Sequence, residues 1–262
     1  MYYKLKAKFK SIFKYICEIR NIYTLMMQDR SDFGRNLPPV TLNLLIINAL
    51  FLLATFVFQR TNLNIDLYGL LGLHYFGASD FNLVQMVTYM FLHADFSHLF
   101  FNMFSLFMFG RTLETVWGGK RFLTYYMATG IGAAIVQQIV WWFQVQDVVS
   151  QYGAGVGFMM QELPIFLNRA FLTVGASGAV FGILLAFGML FPNANLFLMF
   201  IPVPIKAKYF VIGYGLIELF MGVSNFSGDN VAHFAHLGGM IFGFILIKYW
   251  KKKDQDNGRY FY

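Results

Sequence analysis

Charged side chains are scarce in this chain. Asp, Glu, Lys and Arg make up 13% of its 262 residues, against about a quarter in soluble domains. That composition excludes an ordinary water-soluble exterior. Cysteine is nearly missing: Cys17 stands alone, so no intrachain disulfide can form. Acids are few inside the apolar segments, where Glu218 is the one clear case. A channel or transporter would be expected to line its path with several. No His, Cys, Asp or Glu set has metal-ligand spacing, so no metal and no cofactor are expected. No internal repeat and no low-complexity tract occurs, and no apolar run follows the early lysines as a cleavable signal would require.

What is present is apolar. Hydrophobic residues make up 58% of the chain, and Phe alone numbers 32. The length suits one helical bundle with no second large domain. Six segments approach the roughly 20 apolar residues that a membrane span needs: 39–58, 96–112, 122–143, 175–191, 207–223 and 233–250. The expected fold is therefore an all-α membrane bundle of six transmembrane helices.

Lys and Arg placement gives the direction. The net charge of +7 could suggest nucleic acid, but the basic residues flank apolar segments. No nucleic-acid partner is expected; the partner is the lipid bilayer. Eighteen of the twenty Lys and Arg fall on one side, in the tail, the 2–3 and 4–5 loops and the C-terminal end, leaving only Arg60 and Arg169 on the other. The positive-inside rule then puts both termini in the cytoplasm. Three regions are expected: a basic N-terminal segment 1–37, a six-span domain 38–250 and a cytoplasmic tail 251–262. In the first, Phe9, Ile12, Phe13, Ile16, Ile19, Tyr23 and Met26 recur at helical spacing among lysines. This suits an amphipathic helix lying on the inner leaflet; a disordered basic tail is the alternative. The loops 59–95 and 144–174 lie outside, the first partly in the interface and the second holding the glycine-rich YGAGVGF. Gln137 and Gln138 are expected to bond between helices, and Trp141, Trp142 and Trp250 to sit in the interfacial belt.

Polar groups inside spans are expensive and mark candidate sites. Four stand out: His98, Asn102, Ser177 and His236. Spans two, four and six all run from outside to inside. His98, Ser177 and His236 each lie near the start of one of them, hence at similar depth near the outer face. Gly178, Gly182 and Ala186 form one small-residue stripe, and Ala235, Gly239 and Gly243 another. Such stripes let membrane helices pack closely, which would bring Ser177 to His236. Serine needs an adjacent base to act as a nucleophile, and histidine suits that task. A helix N-terminus offers N–H donors to a developing oxyanion. His98 and Asn102, at i and i+4, can add two more donors; holding helices together is the alternative role. Ala179 breaks the G-x-S-x-G pattern, and no acid is obviously placed to orient His236. A Ser–His dyad is therefore expected rather than a triad. His93, His233 and Glu218 are left open between structural and functional roles; Glu218, near the depth of Ser177 and His236, is expected to face the bundle and bond to a neighbouring helix or the 5–6 loop, as a structural anchor or as a latch.

These residues resemble the rhomboid intramembrane serine proteases over about residues 38–250. The family's H-x-x-x-N reads as His98 to Asn102, its G-x-S-G as Gly175 to Gly178, and its A-H-x-x-G as Ala235 to Gly239. Leu113 and Glu114, followed by Trp117 to Leu123, look like its 2–3 connection. The resemblance implies a cofactor-independent serine endopeptidase cleaving transmembrane protein substrates near their outer ends. It assigns Ser177 as nucleophile, His236 as base, and His98 with Asn102 as oxyanion stabilisers. The six-span form points to a bacterial inner membrane. Two competing readings are a non-proteolytic member that binds membrane clients, and a channel or transporter.

Overall fold

The computed structural model describes residues 37–61, 65–152, 159–198, 201–224 and 232–257. The predicted amphipathic tail, the GAGVGF stretch at 153–158 and residues 225–231 of the 5–6 loop lie outside them. Contacts divide the chain into Met1–Pro38 and Pro39–Tyr262, and every element below belongs to the second unit.

Each of the six apolar segments carries helix. Helix α1 spans Pro39–Arg60, and the short α2 spans Leu67–Leu71. Strand β1 (Leu73–His74), α3 (Gln85–Thr88) and a 3-10 turn (Tyr89–Phe91) follow. The second segment is one rod in three pieces: α4 (Phe96–Ser105), a π-helical turn (Leu106–Gly110) and α5 (Arg111–Trp117). It stops at Gly118, whose φ of 77° suits glycine alone among common residues. Helix α6 runs Gly119–Tyr152 and α7 Met159–Ala170. Strand β2 is Leu172–Thr173, and α8 spans Ser177–Leu190. Strands β3 (Asn195–Leu198) and β4 (Ile201–Lys206) lead into α9 (Ala207–Ser224), and α10 closes the order at His233–Asp256.

The structure departs from the sequence expectations at several points. The fold is not purely helical: β1 pairs antiparallel with β2, and β3 with β4. Helix α6 has 34 residues, so it takes in nearly a third of the expected outer loop. Helix α10 continues six residues past the expected end of the domain at 250, and Arg121 Nη2 meets Asp254 Oδ2 at 2.9 Å in that extension. Among the described residues, two helices, α1 and α9, are long and apolar enough by themselves to cross a membrane, and α8 is shorter. Trp141 is buried against Phe171 instead of lying in a surface belt. Gln138 does not bridge helices either. Its side chain donates to His74 O at 2.6 Å and accepts from Phe76 N–H at 2.9 Å, tying the first loop to α6.

Helix α1 starts at Pro39, where a missing N–H costs nothing. Its free N–H groups are met from another helix: the buried carboxylate of Glu114 accepts from Val40 N–H at 2.9 Å, from Thr41 N–H at 2.7 Å and from Thr41 Oγ1 at 2.7 Å. A negative group there also matches the positive end of the helix.

The core lies where α6 meets α8 and α10. Tyr125 of α6 donates its hydroxyl to Gly182 O at 2.8 Å. A methyl at Gly182 would strike Thr129, and one at Gly178 would strike Ala133. The two stripes therefore do only part of what the sequence suggests. Gly178 and Gly239 meet backbone to backbone, and a methyl on Gly239 would overlap the Gly178 carbonyl. One turn deeper, Gly182 and Gly243 both face side chains of α6. The third helix wedges between the other two.

Candidate active site

Ser177 is the first residue of α8. The N-cap residue is Ala176, whose methyl cannot cap the helix. The turn before it is held by Gly175, whose N–H donates to Tyr89 O at 2.9 Å. Gly175 has φ of 133°, and a side chain there would press against the His98 imidazole. A glycine is therefore required on two counts.

His236 lies one turn into α10 and is buried. Its Nε2 is 2.8 Å from Ser177 Oγ. The contact follows from the approach at Gly178 and Gly239, each one turn or less from its reactive neighbour. Phe181, one turn after Ser177, lies flat on the His236 ring with centroids 4.2 Å apart and planes 7° apart. Nothing in the sequence analysis pointed to Phe181. The available signal was its position: i+4 from a serine heading a helix is the same face.

Sequence spacing also gave no acid for His236, and here the structure differs. Glu218 of α9 points its Oε2 at His236 Nδ1, 2.8 Å away. The same oxygen is 2.7 Å from His233 Nδ1. Glu218 lies 18 residues from His236 on another helix, and no local spacing rule covers such a pair. A carboxylate can only accept, so it favours the tautomer of His236 with the proton on Nδ1 and a lone pair on Nε2. That lone pair faces the Ser177 hydroxyl.

His98 and Asn102 are placed by α4. Asp95 caps that helix, accepting from His98 N–H at 2.8 Å and from Ser97 Oγ at 2.6 Å. The Ser97 hydroxyl and the His98 N–H hold the exposed Asp95 carboxyl below the usual carboxylate range, so the cap stays charged near neutral pH. Ala94 N–H donates to His98 Nδ1 at 3.4 Å. This leaves the proton on Nε2, which together with Cε1 faces Gly175. His93 is fully buried behind, edge-on to His98 with centroids 5.0 Å apart. Asn102 is buried, and its Nδ2 donates to His98 O at 2.9 Å. That bond uses one of two amide protons.

Glu218, His233 and His236 offer three ligand atoms within 4.8 Å of one another. The same atoms already satisfy each other through the two hydrogen bonds to Glu218 Oε2. Chemically, the whole arrangement can move a proton off a serine oxygen beside several N–H donors.

Comparison with known proteins gives the same direction. The family described as Rhomboid domain matches residues 80–253, which takes in all four candidate site residues. RHOMBOID-like protein 12, mitochondrial, of Arabidopsis thaliana is 32% identical over 158 residues, covering 59% of this chain and 42% of its own. Rhomboid protease GluP of Bacillus subtilis (strain 168) is 27% identical over 178 residues, 65% of this chain and 28% of that protein. Rhomboid-like protease 3 of Toxoplasma gondii is 29% identical over 193 residues, with 73% and 61% covered. The chain spans about half the length or less of the first relatives it matches. The family match extends over most of the second compact unit, from the loop before His98 to the end of α10. On that extent of similarity, the chain belongs to the rhomboid family.

Proposed function

We propose that this protein is an intramembrane serine endopeptidase that cleaves transmembrane protein substrates near the outer face of the membrane. The observation that carries the proposal is the 2.8 Å contact between Ser177 Oγ and His236 Nε2. Ser177 attacks the scissile carbonyl while His236 takes its proton. The tetrahedral oxyanion is met by N–H groups at the head of α8, by His98 Nε2 and by Asn102 Nδ2. His236 then protonates the leaving amine. Water releases the acyl group by the reverse sequence.

The membrane setting rests on composition and exposure. Helix α9 exposes Ile212, Leu216, Ile217, Phe220 and Val223, and α1 exposes Ile46, Leu50, Leu53 and Phe56. Leaving such surface in water costs about 25 cal/mol per Å²; in lipid it is matched. The proposed architecture is six spans with both termini cytoplasmic, from the charge split. The rhomboid domain proper is assigned to about 38–250, with the basic segment 1–37 before it. Helix α8 has 14 residues and is about 21 Å long at 1.5 Å per residue. That falls short of a bilayer core of ~30 Å, so its head sits below the outer surface, where a substrate helix would have to unravel. The proposed membrane is the bacterial inner membrane, since the six-span form points there and Bacillus relatives stand among the matches.

The test is labelling and cleavage together. Protein in liposomes should react with a fluorophosphonate at Ser177 and cut a model transmembrane substrate. Retained labelling and cleavage in Ser177→Ala would overturn the proposal. Asn102→Ala should lower kcat and leave KM nearly unchanged, because an oxyanion donor acts in the transition state. Loss of one such donor is worth roughly 10²–10³ in kcat, and here His98 and the backbone share the load, so the lower end is expected. A change in KM alone would remove Asn102 from that role.

A further inference from the structure

Helix α9 is mostly bare. Among its described residues only Ala207, Val211 and Glu218 are buried. Ala207 and Val211 sit in its first two turns, where Val211 packs over Gly188. Glu218 is thus the buried anchor of the second half. Nearby, Gly222 lets α9 approach Phe234 and the Cβ of His233. An acid at such a place is expensive unless every lone pair facing the protein has a use. Its Oε2 has two: His236 Nδ1 at 2.8 Å and His233 Nδ1 at 2.7 Å.

Resting on the proteolytic reading above, we propose that Glu218 is the positioning residue that completes a Ser177–His236–Glu218 relay, with His233 as a second donor that shares its carboxylate. Glu218 does not touch substrate. It fixes the His236 tautomer, steers Nε2 at Ser177 and stabilises the imidazolium formed when Ser177 gives up its proton. Phe181 restrains the ring face and Glu218 restrains its edge, so the imidazole has one orientation. His233 disperses the carboxylate charge and keeps Glu218 from pairing too strongly with His236⁺. The relay also ties chemistry to helix packing. His236 is oriented only while α9 is docked on α10, because the acid and the two histidines lie on different helices.

The experiment compares Glu218→Gln, Glu218→Asp and His233→Phe with the parent in liposomes, measuring kcat, KM and thermal stability. In a Ser–His–Asp protease, changing the acid to its amide costs about 10⁴ in kcat. With the carboxylate shared, Glu218→Gln should lose about 10²–10³. KM should shift by less than about twofold. Glu218→Asp should recover part of the lost kcat, because it returns a carboxylate to the two histidines. His233→Phe should keep most of kcat, since Glu218 still serves His236. A purely structural role would lower stability and activity together and would not separate kcat from KM. Full kcat in Glu218→Gln, with Ser177→Ala inactive, would overturn the relay and leave the protease reading intact. Loss of activity on adding EDTA, restored by Zn²⁺, would also overturn it, by giving the three side chains to a metal.

Discussion

His236→Ala should stop turnover, and adding Ser177→Ala to it should lose nothing more. The two side chains are expected to act as one unit through the 2.8 Å contact between Oγ and Nε2. Without the base, Ser177 stays a neutral hydroxyl and attacks poorly. Without the serine, the base has no proton to take. In subtilisin, removing the serine or the histidine alone costs about as much as removing the whole set, ~10⁶ in kcat. The same size and the same lack of additivity are expected here. The measurement is single-turnover cleavage of a reconstituted transmembrane substrate by the two single variants and the double variant. Additive losses would mean that the two residues act in separate steps. The Phe181 ring, stacked on His236, would lose its partner in the His236 variant, so thermal stability should fall by a small amount beside the rate effect.

Gly239→Val should also be damaging, although residue 239 has no side chain to contribute. A Cβ there meets the carbonyl of Gly178, the residue next to Ser177. Backbone cannot rotate away as a flexible side chain can, so α8 and α10 must separate. Overpacking of this kind costs about 1–3 kcal/mol in stability. The rate suffers more, because a displacement of about 1 Å in a reacting pair can cost 10²-fold. Loss of kcat beyond what the fall in Tm explains is therefore expected, together with slower fluorophosphonate labelling of Ser177. Gly213→Ala is the control, since a Cβ at Gly213 meets nothing within 4 Å. A Gly239→Val protein labelled at the parent rate would show that this close approach does not set the site.

The candidate pair was legible because topology restricts depth. Three segments expected to run the same way would put His98, Ser177 and His236 at one level, and the contact between Ser177 and His236 agrees with that expectation. The small-residue stripes named the helices that meet, and Gly178 against Gly239 is such a meeting. The stripes misled one turn deeper, where Thr129 and Tyr125 of α6 occupy the space. A stripe records that something comes close; it does not record which helix. Gln138 and Trp141 failed for a related reason. Both were judged by residue type and span position, while their partners lie in the loop at His74 and Phe76 and in the segment at Phe171.

By itself the sequence determined the class of molecule and the six helical segments, and it singled out His98, Asn102, Ser177 and His236 as candidates. Each of those followed from something local: apolar run length, charge at the segment ends, or polar groups at the head of a span. Tertiary structure alone decided the rest. It placed the Glu218 carboxylate on both histidines, laid Phe181 on the imidazole, and set Glu114 over the first turn of α1. The physical reason is common to all three. A hydrogen bond or ring contact between helices depends on their rotation and offset, and these come from packing across the whole core, not from spacing along one segment.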